Sequence, residues 1–371
     1  MDVEDLPSWT AILTISPDIG TSQTIFKPHI QIQDSSGAPS IESGYLYRVN
    51  YTADSNAVSV WLDSIPHSTL SFEPGEHTLV VVIQDTLGFL DTTSCKFYVQ
   101  PLLQITPTNT SGHSQGNIDW SNDGSNRIAF DAYGGEAGAN QSIFIVQYPD
   151  GEPVKVSFNP DSGNYFFDQF PEWSPQGDKI ACASSNGLDI IDLSTHERTN
   201  LDPDGQYEMR SWSPDGRWLV YWDGPGRTVI HDFNMDTTGV LFDEQYFITW
   251  SPDGSKIARC NHVRNRREYL QIIDLNSREV VDEFEIPTHG WKIEWSPVRN
   301  LISLGFSTGG QSGFILNLES GVVFSFKPDG LLQSWYPSWS EDGSLLAFES
   351  KINAPGVWTS IWAIEFPDEI E

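Results

Sequence analysis

Basic residues are scarce in this chain. Lysine and arginine number 20 against 51 aspartate and glutamate residues, which gives a formal net charge of −31 over 371 residues. Because binding to a phosphate backbone requires a basic surface, the sequence argues against nucleic acid as a partner. The same charge argues against an anionic membrane surface. The simplest interpretation of the acidic excess is a solvated surface.

Cysteine is almost absent. Cys182 and Cys260 occupy similar places after Lys-Ile-Ala phrases, and Cys95 stands alone. They read as small buried residues, and their spacing matches neither a disulfide framework nor a metal site. The sequence therefore predicts neither a metal nor another cofactor.

Long apolar runs are also missing. No stretch reaches the length of a transmembrane helix, and no long segment has the 3.6-residue apolar period of an amphipathic helix. Residues 1–5 are acidic and are not followed by the apolar core of a signal peptide. This start predicts a cytosolic protein, or a mature or trimmed chain.

Turn residues and tryptophan, in contrast, are plentiful, with 30 glycines, 23 prolines and 14 tryptophans. A Trp-Ser-Pro-Asp-Gly-like phrase occurs six times, at intervals of 38 to 53 residues. Such a period predicts stacked all-β units of the propeller type, with the turn set by Pro, Asp and Gly. The tryptophan supplies a large apolar body to wedge between units. The six repeat tryptophans are Trp120, Trp173, Trp212, Trp250, Trp295 and Trp339.

Each repeat parses into strands that complete a ring of six blades. Five repeats contain four strands, and the sixth ends after its third, near residue 366. The segment 102–106 is a strand left over before the first repeat. We expect it to supply the fourth strand of the last blade, which removes an open sheet edge.

The repeat phrase followed by Ile-Ala resembles the propeller repeats of the TolB family, over about residues 102–366. The resemblance implies a six-bladed β-propeller. It implies little about function, because these repeats serve scaffolds, receptors, peptidase gating domains and some lyases.

The first hundred residues read differently. Short alternating strands are separated by turn signals such as Pro74-Gly75 and Asp85-Thr86-Leu87-Gly88. This pattern predicts a small β-sandwich, and the sequence resembles bacterial immunoglobulin-like domains of cell-surface and secreted proteins. We therefore expect an all-β chain with an immunoglobulin-like sandwich over residues 1–100 and a propeller over residues 101–371.

Two sequence features could indicate a catalytic or metal site, and neither does so strongly. Gly112-His113-Ser114-Gln115-Gly116 matches a nucleophile elbow, but no helix pattern follows it, so it reads as a loop. His113 and His289 both precede a first strand, yet two imidazoles are too few for a metal site. No catalytic residue is assigned.

The segments leading into the first strands carry aromatic and amide residues. Because innermost strands line a propeller axis, these residues should surround one mouth of the channel and suit a sugar or peptide ligand. Packing of the same aromatics between blades is the structural alternative. The candidates are Phe170, Tyr207, Tyr246, Trp291 and Trp335, with Gln115, Gln169, Gln245 and Gln333.

A basic island lies in the fourth repeat, at Arg264, Arg266 and Arg267. It joins the second and third strands, so it should share the face of the aromatic mouth. It is either a solvated loop or an anchor for a carboxylate.

These patterns favour a noncatalytic protein of the cell envelope or extracellular space, with a cytoplasmic location as the alternative. It would act as a monomer and bind a protein, peptide or glycan at the channel mouth. The alternative function is a carbohydrate-active lyase or hydrolase with its site at that mouth.

Overall fold

A computed structural model of the chain describes part of it. Within residues 9–100 it describes the strands only. Beyond them it describes residues 102–106, 115–133, 141–157, 167–204, 209–261, 268–287, 292–305, 313–326, 331, 335–350 and 359–366. The chain divides into two compact units, Met1–Leu102 and Leu103–Glu371.

The strands of the first unit form two sheets. The strands are β1 (Trp9–Ser16), β2 (Ile19–Thr21), β3 (Lys27–Asp34), β4 (Arg48–Ala53), β5 (Asn56–Leu62), β6 (Gly75–Gln84) and β7 (Leu90–Gln100). One sheet pairs β1 with β3, and the other has the order β2-β7-β6-β4-β5. The immunoglobulin-like sandwich and the boundary at residue 100 stay predictions.

The second unit is a six-bladed β-propeller of four-stranded sheets. Blade 1 has β9 (Gln115–Trp120), β10 (Arg127–Tyr133), β11 (Gln141–Gln147) and β12 (Val154–Lys155). Blade 2 has β13 (Asp168–Trp173), β14 (Lys179–Ser184), β15 (Gly187–Asp192) and β16 (Arg198–Asp202). Blade 3 has β17 (Arg210–Trp212), β18 (Trp218–Trp222), β19 (Thr228–Asp232) and β20 (Thr237–Phe242).

The remaining blades follow the same plan. Blade 4 has β21 (Tyr246–Trp250), β22 (Lys256–Asn261), β23 (Glu268–Asp274) and β24 (Val280–Ile286). Blade 5 has β25 (Lys292–Trp295), β26 (Leu301–Gly305), β27 (Gly313–Asn317) and β28 (Val323–Phe326). Blade 6 has β29 (Trp335–Trp339), β30 (Leu345–Ser350), β31 (Ser360–Glu365) and β8 (Leu102–Gln104). The described residues contain strands and no helix.

Closure of the ring is confirmed. Strand β8, from the start of the propeller, is the outermost strand of blade 6 beside β31. Backbone and side chain of Thr106 both bond Ile361, and the Ile361 amide donates to Thr106 Oγ1 over 3.0 Å. The two ends of the propeller therefore share one sheet, which protects an edge that would otherwise be open.

The repeated turn forms as its chemistry predicts. In blade 3, Ser213 Oγ donates to Asp215 Oδ1 over 2.6 Å and accepts the Trp218 amide over 2.9 Å. Gly216 lies at a φ of 72°, a left-handed conformation that favours glycine. The same bonds recur at Ser251 and Ser340. This turn fixes the register between first and second strands.

Blade 5 lacks the aspartate of this turn. Val298 and Arg299 stand where blades 1, 3, 4 and 6 have Asp and Gly and where blade 2 has Gln and Gly. The backbone bond from the Ser296 amide to Leu301 O, 2.9 Å long, is kept. Ser296 Oγ, however, is buried without a hydrogen-bond partner among the described residues.

Candidate functional site

In blades 1, 4, 5 and 6, the residue before the repeat tryptophan links neighbouring blades. Its side chain accepts a hydrogen bond from the backbone amide of the repeat tryptophan in the next blade. This rule holds across the junction of blades 6 and 1, so the ring is linked on its inner side as well. The bonds run from Trp173 to Asp119 (2.7 Å), Trp295 to Thr249 (3.1 Å), Trp339 to Glu294 (2.9 Å) and Trp120 to Ser338 (2.8 Å).

Carboxylates occupy this position in blades 1, 2 and 5, and a lysine lies among them. Lys292 Nζ, from blade 5, donates to Asp119 Oδ1 (2.9 Å) and to Ile118 O (2.7 Å) in blade 1. It also lies 3.2 Å from Glu294 Oε2. A cavity between the innermost strands is lined by Glu172, Lys292 and Glu294. Lys292 therefore crosses the channel past blade 6 and joins two blades that are not neighbours.

Burial decides the charge of this cluster. It raises the pKa of Glu172 well above its usual value, and the nearby charge of Asp119 adds to the effect. Burial also raises the pKa of Glu294 to about 7, although Lys292 opposes this. Burial lowers the pKa of Lys292, but Asp119 and Glu294 outweigh it and hold that pKa above its ordinary value. Lys292 thus stays charged, and the carboxylates outnumber it.

Blades 6, 1 and 2 share a backbone irregularity three residues before the repeat tryptophan. Asn117, Phe170 and Tyr336 have φ values of 49°, 53° and 48°, and each lies at a β-bulge where the first and second strands change register. Left-handed backbone is costly for residues other than glycine. Bulges re-aim side chains, and all three residues line the channel cavity.

Two buried carboxyl groups support this bulged region. Asp131 Oδ2 accepts the side-chain amide of Asn117 (2.6 Å) and the backbone amide of Phe170 (2.9 Å). The carboxyl group of Glu349 packs closely against the backbone at Gly116, where a Cβ would meet it. Burial raises the pKa of Asp131 to about 7; burial and the charge of Asp131 raise that of Glu349 to about 8.

Aromatic and cationic groups meet above this support. The rings of Phe170 and Tyr336 make an edge contact, with centroids 5.9 Å apart. Arg210, on blade 3, donates to the Phe170 carbonyl, and its guanidinium carbon lies 5.9 Å from the Phe170 ring. Burial lowers the pKa of Arg210 to about 10, so it remains charged at neutral pH. We call Asn117, Phe170, Arg210 and Tyr336 the bulged mouth.

The aromatic and glutamine candidates predicted from sequence lie at different places. Phe170 belongs to the bulged mouth. Tyr246 lies between blades 3 and 4, 5.3 Å from Phe242 and beneath the guanidinium of Arg259 at 4.4 Å. Trp335 is half-buried at the start of β29, and the residue after it lines the channel.

The described glutamines are mostly held by neighbours. Gln115 accepts the Thr106 hydroxyl over 2.6 Å, and Gln169 donates to Gln141. Gln245 is half-buried beside Gly226. Six candidates lie outside the described residues, namely Tyr207, Trp291, Gln333, Arg264, Arg266 and Arg267.

Sequence reasoning missed the ionic cluster, although a signal was present. Asp119, Glu172 and Glu294 precede repeat tryptophans where the other blades have serine or threonine, and Lys292 lies three residues before Trp295. Blade parsing places all of these on innermost strands. The signal could have been found by asking which residues before the repeat tryptophans are charged.

Comparisons with known proteins identify similar folds at low identity. An oligogalacturonate lyase in complex with manganese is 10% identical, with a TM-score of 0.49, and the match covers 73% of this chain and 96% of that one. TolB from Acinetobacter baumannii is 14% identical, with a TM-score of 0.45, covering 90% and 81%. A chain of the mitotic checkpoint complex is 13% identical, with a TM-score of 0.49, covering 72% and 94%.

Sequence comparisons add no relative. No family model matches the chain, and no curated protein matches it significantly. Within the described part of the chain, no helix has the length and apolarity needed to cross a membrane, and no group of His, Cys, Asp and Glu is arranged to hold a metal ion.

Proposed function

We propose that this protein is a noncatalytic binding protein whose propeller holds a protein, peptide or glycan ligand at the bulged mouth. The supporting observation is the contact between Phe170 and Tyr336 on left-handed backbone. Backbone strain persists where the surrounding structure enforces it, and such sites are often functional. Aromatic faces beside amide and cationic groups suit sugars and peptides.

The ligand stays at the mouth and does not pass through the channel. Lys292 and its neighbouring carboxyl groups line, together with the bulged mouth, one cavity of about 60 Å³ between the innermost strands. This volume accommodates about two water molecules. Binding therefore depends on the rim of the channel, where side chains can adapt to a larger partner.

The location proposed for this activity is the cell envelope or the extracellular space. This location is supported by the resemblance of residues 1–100 to immunoglobulin-like domains of cell-surface and secreted proteins. That segment would act as a spacer or adhesion module. The protein would act as a monomer. The net charge of −31 argues against nucleic acid as its ligand.

A paired array experiment tests the proposal. The full chain and its Phe170→Ala/Tyr336→Ala variant are applied to a glycan array and to a peptide array. We expect the wild type to retain a defined class of glycan or peptide and the variant to lose it by at least about tenfold, since each ring contributes stacking area. Phe233→Ala/Tyr269→Ala removes the same two residue types from exposed positions and should bind normally. Equal binding by both variants would contradict the proposal.

A second candidate function is cleavage of a carbohydrate, as in a lyase or hydrolase. It is supported by Asp131 and Glu349, whose pKa values of about 7 and about 8 suit proton transfer near neutral pH. Polygalacturonate and neutral oligosaccharides are incubated with the protein, and products are followed by chromatography. Catalysis predicts products that disappear in Glu349→Gln, whereas absence of products from every substrate favours the binding function.

A further inference from the structure

A groove opens between blades 3 and 4, away from the bulged mouth. Its volume is about 850 Å³, which lies within the range of volumes found for ligand-binding pockets in proteins. One wall is formed by β20 and Trp218, and the other by β22, β23 and the start of β24. We call it the 3/4 groove.

The rim of this groove is apolar and exposed. Val240 on β20 is 49% exposed and Val280 on β24 is 46% exposed. Close by in the sequence, Val281 is 45% and Met235 is 67% exposed. Val240 and Val280 line the groove itself, and exposed apolar side chains beside a groove are typical of interaction surfaces.

Among the described residues, the outermost strand of blade 3, β20, pairs with β19 alone. Strand β20 reads Thr-Thr-Gly-Val-Leu-Phe and carries no charged side chain. Edge strands are usually protected by charge, by proline or by a covering segment. Val240, Leu241 and Phe242 of this strand line the 3/4 groove. An extended segment can therefore lie along β20.

Two arginines, Arg259 and Arg278, line the groove. Arg259 bonds Gln271 Oε1 (3.0 and 2.9 Å) and stacks on Phe242 at 4.5 Å. Arg278 lines the groove at the turn before β24. Neither forms an ion pair with a carboxylate among the described residues, although the chain has 51 acidic residues. Asp215 and Asp253 line the groove, but each is bonded within its own turn.

We propose that the 3/4 groove binds an extended segment of a partner protein that carries aliphatic side chains and at least one carboxylate. The aliphatic groups pack against Trp218, Leu241 and Val280. The carboxylate pairs with Arg259 or Arg278, where arginine offers a planar two-pronged donor. This site is separate from the bulged mouth and does not depend on the function proposed for it.

Selection from a random peptide library tests the proposal. Phage-displayed dodecapeptides are selected on the full-length protein, and each selected peptide is measured by fluorescence anisotropy. We expect groove-dependent peptides rich in Leu, Ile or Val with Asp or Glu. Their binding should weaken at least about tenfold in Arg278→Glu and in Val240→Asp, because each change places negative charge in the groove.

Matched controls separate the groove from general effects. His196→Glu changes the corresponding hairpin position of blade 2, where the backbone is also left-handed. Val154→Asp changes an exposed valine on the fourth strand of blade 1. Both variants, and Phe170→Ala/Tyr336→Ala, should bind the peptides as the wild type does.

Three results would overturn the proposal. The first is selection of basic peptides or of none that depends on Arg278 and Val240. The second is equal weakening by the control variants. The third is a dimer of the wild type that Val240→Asp converts to a monomer, since a second copy would then cover the groove.

Discussion

Blades 6, 1 and 2 meet the channel differently from blades 3, 4 and 5. In the first three, the residue three positions before the repeat tryptophan is left-handed and lies at a bulge. In the other three, the corresponding residues Met209, Phe247 and Lys292 are not left-handed, and the first strands pair without a register shift. The same sequence repeat therefore forms two kinds of innermost strand, bulged in blades 6, 1 and 2 and regular in blades 3, 4 and 5.

The two halves also differ in where they interact with their surroundings. The bulged half, blades 6, 1 and 2, has buried carboxyl groups and aromatic rings at the channel. The regular half, blades 3, 4 and 5, has an apolar groove between blades 3 and 4. Strain at the axis and exposed apolar surface at the periphery are both unfavourable for stability. Their separation suggests that each half contributes its own binding surface.

Lys292 joins the two halves, and its removal should have the largest effect. Lys292→Met removes a cation shared by the buried Asp119 and the half-buried Glu172 and Glu294, and we expect a loss of ~3–5 kcal/mol in the free energy of unfolding. Lys179→Met is the matched control, because its pair with Asp178 is solvent-exposed and should contribute less than about 1 kcal/mol. Urea denaturation measures both. Similar midpoints for the two variants would show that the cluster does not hold the halves together.

Glycine and alanine substitutions test whether the innermost strands of the two halves differ in backbone conformation. At Tyr336, glycine should be more stable than alanine by ~1 kcal/mol, because alanine keeps the cost of left-handed backbone. At Phe247, the order should reverse by ~0.5–1 kcal/mol, because glycine weakens a regular strand. Thermal unfolding of the four single variants gives the two differences. The same sign at both positions would remove the distinction between the halves.

The smallest effect is expected at the defective turn of blade 5, within the regular half. Val298→Asp supplies the acceptor that Ser296 Oγ lacks, and we expect stabilisation by ~0.5–1 kcal/mol. Asp253→Val creates the reverse change in blade 4 and should destabilise by a similar amount. Both are measured by the shift in melting temperature. Destabilisation by Val298→Asp would indicate that contacts of Val298 with blade 6 matter more than the turn.

The propeller could be predicted from sequence because its turns are local. Ser213, Asp215 and Gly216 act within a few residues of one another, so their chemistry can be read directly. The closing strand could be predicted because one strand was left over. The bulges could not be, since Asn117, Phe170 and Tyr336 share no residue type.

The contacts between blades were beyond the reach of sequence alone. Lys292 and Asp119 are 173 residues apart; the sequence shows that both are charged and lie on innermost strands, but it does not show that they meet. The prediction that aromatics surround the mouth remains open for residues outside the described part. For Tyr246, the structure places the ring between blades, which was the alternative interpretation.

The sequence by itself determined the number of blades, their turns and the closure of the ring. These features depend on hydrogen bonds between near neighbours and on the alternation of strands. Only the tertiary structure decided which side chains meet at the axis, which carboxyl groups share Lys292 and where a groove stays open. Those outcomes depend on the burial and mutual distance of residues from different blades, and the order of residues along the chain does not specify either.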